Sequence, residues 1–247
     1  MRFTICDSRF TIINMSEALD RVRGINNLPL FPLPVVLLPS ELLPLHIFET
    51  RYRQMLKDVQ VTNQLFGVSY FSAEESAIEK PEIGSLGCAA EVRDVKMMED
   101  GRANIVTVGL IRYRVESYVE TSEPYLIGEV SFFEDDEEEP TVLQTLADEV
   151  FALFMRVAKA AHDLSGERGQ MPEIPQVEPQ HLSFLIAAAF NMQPEVKYEF
   201  LALRSTAERL ERLREMLLQT VGKVEDSAQM SKIAKTNGHS NKPIKLD

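Results

Sequence analysis

The sequence predicts an α+β fold: a small β-barrel of about six strands and one helix, followed by an α-helical bundle. Three observations predict it. Residues 83–130 alternate apolar and polar side chains in runs of strand length, broken by an Asp100-Gly101 turn. After Pro140 the apolar period becomes helical. Between the two stand six consecutive acids, Glu134-Asp135-Asp136-Glu137-Glu138-Glu139. The expected divisions are a partly disordered N-terminal extension (1–26), the barrel (27–134), an acidic linker (135–140), the helical part (141–221) and a disordered tail (222–247).

Residues 1–24 lack the continuous apolar run of a secretory signal, because Asp7, Ser8, Arg9 and Asn14 interrupt it. Met15 is an alternative start residue and opens the helix-friendly run Ser16-Glu17-Ala18-Leu19-Asp20-Arg21-Val22-Arg23. The stretch Leu28–Glu49 is strongly apolar and carries Pro29, Pro32, Pro34, Pro39 and Pro44. A membrane span is excluded there, since Glu41, His46 and Glu49 interrupt it and the prolines remove hydrogen bonds that lipid cannot replace. Val35–Leu38 is expected to be a short buried strand confined by prolines, and Leu45–Phe48 a second. Residues 50–59 switch to helical spacing, with Tyr52, Met55, Leu56 and Val59 on one face. Leu65–Phe71 is strand-like.

Further on, Leu86, Cys88, Ala90 and Val92 alternate with smaller or polar residues, and Ile105–Val108 follows the turn. Asp100-Gly101 predicts a type I′ hairpin, whose central residues both need positive φ. Gly109 marks a bulge or a close backbone approach. Ile111, Tyr113 and Val115 alternate with Arg112, Arg114 and Glu116, which sends the charged residues to water, where Glu91, Asp94 or Glu116 are available partners. Tyr125–Phe133 is the last strand. Leu143, Leu146, Val150, Phe154 and Val157 form an apolar helical stripe, and His181–Met192 is apolar nearly all round. Pro194 starts a helix. Ser205-Thr206-Ala207-Glu208 has capping-box spacing and opens another, lined by Leu210, Leu213, Leu217 and Val221.

A net charge of -12 disfavours a nucleic-acid partner. The two cysteines, Cys6 and Cys88, form no disulfide framework, so a reduced compartment, the cytoplasm, is expected. The sequence contains no GxxxxGK[ST], HExxH, GxSxG or strand-following GxGxxG. The four histidines are scattered without metal-ligand spacing, and a run of neighbouring carboxylates repels itself outward rather than converging on a cation. No catalytic, cofactor-binding or metal-binding residue is assigned, and no membrane contact is expected.

Several blocks of the sequence carry a resemblance. "LPLFPLPVVLLPSELLPLHIFETRYRQML", "IGSLGCAAEVRDVKMMEDGRANIVTVGLIRYRV", "EPYLIGEVSFFEDD" and "LSFLIAAAFNMQPEVKYEFLALRSTAERLERL" follow one another in the order found in the Lon protease N-terminal, substrate-binding domain. The resemblance covers roughly residues 27–220. It implies a PUA-like β-barrel followed by an α-helical subdomain, and recognition of unfolded or degron-bearing polypeptides. The sequence to Asp247 contains no counterpart of the family's ATPase or Ser-Lys peptidase modules, so a stand-alone, non-enzymatic domain is expected.

Capture of apolar segments needs an exposed apolar patch. Leu30, Phe31 and Leu33, with Leu28 beside them and the adaptable pair Met97-Met98 at the hairpin, are the candidates. Competing readings are a regulator docking on a protease or another protein partner and, from the PUA-like resemblance, an RNA-binding protein. The acidic balance opposes the last.

Overall fold

A computed structural model describes residues 15–71, 80–165 and 177–237. Its elements in chain order are α1 (Met15–Val22), β1 (Asn27–Leu33), β2 (Leu42–Ile47), α2 (Thr50–Gln60), β3 (Leu65–Tyr70), β4 (Leu86–Met97), β5 (Ala103–Tyr118), β6 (Leu126–Phe133), α3 (Pro140–Ser165), α4 (Pro179–Ala189), α5 (Pro194–Ala202) and α6 (Thr206–Asn237). The expected α+β class holds, with a six-stranded sheet followed by a helical part.

The sheet is mixed, in the order β2-β5-β4-β3-β1-β6, and β6 also pairs with β5. The β5–β6 pairing returns the sheet on itself, but β2 lies outside that circuit, so the six strands do not make one closed barrel. The long strand β5 has three partners, and β2 is an edge strand paired with β5 alone. β1 and β3 run parallel, joined through β2 and α2.

The first strand lies earlier than the apolar run suggests. β1 is Asn27–Leu33, and Val36, Leu37 and Leu38 are buried without being a strand. Pro34 and Pro39 bracket them, and Leu38-Pro39-Ser40-Glu41 closes as a turn in which the Glu41 N–H donates to Leu38 O, with Ser40 at φ 64. The α2 face is as expected, with Tyr52, Met55, Leu56 and Val59 buried. Gly109 fulfils both of its expectations. The β4–β5 register shifts between Ala89 and Ala90, leaving Leu110 as the extra residue. A Cβ on Gly109 would lie 2.1 Å from Leu38 O, and Gly109 exchanges hydrogen bonds with the turn at Ser40 and Glu41.

The β4–β5 hairpin is not type I′. Gly101 has φ +80, whereas Asp100 is not left-handed. The Gly101 N–H donates to Met98 O and the Met98 N–H to Arg102 O. This is a type I turn closed by a left-handed glycine, the longer hairpin solution that needs positive φ at one residue.

Two apolar clusters form the interior. The larger joins Phe31, Leu37, Tyr52, Phe66 and Ile105 to Val150, Phe154, Phe184, Leu210 and Leu213, so it runs from the sheet into the helical part. The smaller holds Leu28, Leu30, Leu65, Ala89, Ile111, Tyr113 and Val130 with Ala18 and Val22 of α1. Strand alternation on β1 sends Leu28 and Leu30 to one cluster and Phe31 to the other. Residues 15–22, expected in a partly disordered extension, are therefore helical and packed; residues 1–14 lie outside the described residues. The expected tail from 222 is helical as far as Asn237, because only Gly222 interrupts a helix-compatible sequence. Residues 238–247 lie outside the described residues.

Candidate functional site

The five residues expected to form one apolar patch separate. Leu30 and Phe31 are buried, one in each cluster, and cannot meet a partner. Phe31 instead packs on Tyr52 in a tilted pair, with ring centroids 4.0 Å apart, because β1 is a central strand between β3 and β6. Leu33 is half-buried against the larger cluster. Met97 and Met98 are exposed, by 53% and 37%.

Phe48, which the sequence reading placed in a strand and passed over, is 59% exposed. The registers explain the neighbourhood. Ile47 pairs with Ala103 and Ala103 with Met97, while His46 pairs with Asn104 and Asn104 with Lys96. Residues directly opposite one another share a face. His46, Asn104 and Lys96 thus project outward, whereas Ile47 and Ala103 are buried. Phe48 stacks over His46 at 6.0 Å between centroids, and Pro44 and Val106 form the next outward row. The His46 ring nitrogen Nδ1 is 2.7 Å from Asn104 Oδ1. Glu49 turns away and pairs with Arg51, which lies over the Tyr52 ring. Arg51 is exposed, whereas Tyr52 is buried and anchors α2 to the sheet. Arg53 closes over Gly101, where a Cβ would meet its Nη2 at 2.0 Å, and fastens the hairpin to α2. Arg102 pairs with Asp100 across the turn.

The second concentration of chemistry is buried, at the junction of sheet and helices. Arg112, expected in water, is fully buried, because α4, α5 and α6 cover this half of β5. Its Nη1 donates to Leu201 O at 3.0 Å and to Leu203 O, at the end of α5 where helix carbonyls are unpaired. Its Nη2 pairs with Asp135. Arg209 on α6 is equally buried and reaches the same carboxylate through both terminal nitrogens, while its Nε donates to Ser183 Oγ at 3.0 Å. The Thr206 hydroxyl donates to Asp135 Oδ2 at 2.7 Å. Phe184 lies under both guanidiniums and Phe133 under Arg112. Burial pushes the Arg112 guanidinium down to about 10, with Asp135 opposing the shift and Arg209 reinforcing it.

The acidic run is therefore not a uniformly solvated linker. Asp135 neutralises the junction, and the Glu138 carboxylate accepts from the Thr206 N–H at 2.6 Å and the Ala207 N–H at 3.2 Å. The capping-box serine acts as expected, with Ser205 Oγ accepting from the Glu208 N–H at 3.0 Å. The Glu208 side chain pairs with Arg212 instead of turning back, since Glu138 already fills that end of α6. Around α5, Lys197 pairs with Glu41, Tyr70 donates to Glu195 and Tyr198 Oη accepts from the Leu86 N–H. Burial raises the Glu41 carboxyl above its ordinary range, and Lys197 limits the rise. Cys88 is buried, with its thiol pushed up by burial. Among the described residues no cluster of three or more His, Cys, Asp or Glu could hold a metal ion, and no helix is long and apolar enough to cross a membrane.

A curled mixed sheet buttressed by a helical part is the architecture of known Lon N-terminal domains. The structure superposes on the Lon N-terminal domain protein from Xanthomonas campestris with a TM-score of 0.55 at 26% identity, covering 76% of this chain and 97% of that one. The N-terminal domain of Lon protease from the Mycobacterium avium complex matches with the same TM-score at 16% identity, a likeness of fold. The profile of the ATP-dependent protease La (LON) substrate-binding domain matches residues 27–219, and the chain belongs to that family. Lon protease 2 of Myxococcus xanthus is 29% identical over 227 residues, 85% of this chain and 26% of the relative. Lon protease of Brevibacillus choshinensis is 25% identical over 199 residues, 78% of this chain and 25% of the relative. The chain thus spans about a quarter of the length of these relatives.

Proposed function

We propose that this chain is a polypeptide-recognition module that holds apolar segments of unfolded or degron-bearing proteins without itself acting on them. The observation that carries the reading is the match of residues 27–219 to a substrate-binding domain. The proteolytic activity in the relatives' names belongs to those whole proteins. The outer end of β2, β5 and β4 suits such a role physically. Phe48 on the His46 face, and Met97 and Met98 at the hairpin, are exposed apolar side chains, a rigid ring and adaptable thioethers, suited to segments of varied sequence. The proline Pro44 in edge strand β2 cannot donate a backbone hydrogen bond, so a client lies across the face more readily than it extends the sheet.

The test is fluorescence anisotropy with a labelled, chemically unfolded protein, comparing the parent chain with Phe48→Ser and with Met97→Ser/Met98→Ser. All three side chains are exposed, so the folds survive. Weakening of about tenfold in each variant is expected. Unaltered binding by both would move the site elsewhere, and no binding by the parent chain would overturn the reading.

A further inference from the structure

We propose that His46 and Phe48 form a recognition position for one side chain of the held segment, a tryptophan indole, in which Phe48 supplies the ring face and His46 accepts the indole N–H. This deepens the polypeptide-recognition function and rests on it.

Strand parity puts the two side chains together. His46 on edge strand β2 lies opposite Asn104 on β5, which lies opposite Lys96 on β4, and all three are exposed. Two residues on, Phe48 returns to the same side. Its ring meets the imidazole at 6.0 Å between centroids and 22° between planes. Being more than half exposed, it keeps surface on which a second flat group can stack. The next row on this face is Pro44 with half-buried Val106, so the ground beside the pair is apolar.

The polar part is fixed by Asn104. Its Oδ1 lies 2.7 Å from Nδ1 of His46, and a carbonyl oxygen only accepts, so Nδ1 carries the proton. The lone pair is therefore on Nε2, which has no hydrogen-bond partner among the described residues. An acceptor held at the margin of an exposed aromatic ring is matched by a flat apolar group with one N–H at its edge. Indole is that group, because it donates and does not accept. Phenol discriminates less, since its hydroxyl does both.

The same geometry makes the position sensitive to protonation. Histidine changes charge between about pH 5 and 8. Once Nε2 carries a proton it meets the indole donor to donor, and the preference is lost. The charged groups around the imidazole are Lys96 and Asp94 on β4, Arg102 at the hairpin, which is paired with Asp100, and Glu49, which is paired with Arg51.

The test uses the full chain and two short apolar peptides with a common fluorescent label. One has a central tryptophan and the other its benzothienyl analogue, in which sulfur replaces the N–H. Near pH 7.5 the indole peptide should bind about fivefold more tightly. His46→Leu should equalise the two peptides, and Phe48→Leu should weaken both about threefold. Near pH 5.5 the parent's preference should vanish, whereas His46→Gln, which keeps an acceptor and does not titrate, should retain it at both pH values. Nitrogen-15 spectra of the imidazole, assigned by its loss in His46→Gln, should show Nδ1 protonated near pH 7.5. Equal binding of the two peptides by the parent overturns the proposal and leaves polypeptide recognition standing. Failure of the parent to bind either peptide or an unfolded protein overturns both. The proposal also falls if the preference survives His46→Leu, if Phe48→Leu changes nothing, if Nδ1 is bare, or if His46→Gln shows the parent's pH effect.

Discussion

The apolar opening stretch and the acidic run look like opposites in the sequence, and their positions in the fold exchange part of what composition suggests. Leu28–Glu49 contains both deep core, at Leu28, Leu30 and Leu38, and the exposed ring of Phe48. Glu134–Glu139 contains both exposed acids and Asp135, whose side chain is nearly as buried as the arginines it joins. The face that an apolar strand residue takes follows from strand parity, which is local. Burial of a charge is decided by partners far away in sequence, here Arg112 and Arg209, without which a buried carboxylate would be prohibitively costly.

The sharpest way to break this contrast is Asp135→Ala. It leaves two guanidiniums buried without their carboxylate, and a loss of about 3–5 kcal/mol is expected in urea unfolding. Amide exchange should rise first at the N-terminal turns of α4 and α6. Equal loosening throughout the sheet would mean that the junction is not what joins the two parts. Next in size is Gly109→Ala in the apolar region, where the new methyl group collides with Leu38 O. Such a backbone clash costs roughly 2–3 kcal/mol, read as a fall in the urea midpoint.

Glu138→Gln weakens the anionic cap on α6 and should cost about 1 kcal/mol, with the exchange confined to residues near Thr206. The smallest effect sharpens the comparison most. Asp136 adjoins Asp135 but pairs with Arg204 at the exposed surface, so Asp136→Asn should shift stability by less than about 0.5 kcal/mol. A loss from Asp136→Asn as large as that from Asp135→Ala would show that the run acts as a whole and that the partners of each acid are immaterial.

Most of the fold was legible. The α2 face, the β3, β4 and β6 strands, the bulge at Gly109 and the Ser205 cap all follow from spacing of two or about 3.6, or from the steric needs of one residue type. The hairpin was placed correctly at Asp100-Gly101 but with the wrong turn, because one left-handed glycine serves two hairpin lengths. The site was less legible. Met97 and Met98 are exposed, while Leu30 and Phe31 are interior because β1 is a central strand, which nothing local in the sequence says. The exposure of Phe48 follows from its parity with His46 at the end of the edge strand.

By itself the sequence determined the α+β class, the order of its elements, the family and the absence of the nucleotide and peptidase motifs, since these depend on short-range periodicity and on residue identities in order. Tertiary structure alone decided which charges are interior and which apolar residues are not. Arg112 alternates along β5 like Arg114, yet the helices cover the first and leave the second beside Gly84 O in water. Alternation specifies the side of a strand to which a residue points. What covers that side is set by packing between segments remote in the chain, and at Arg112 it is a helix end, a second arginine and one aspartate from an acidic run.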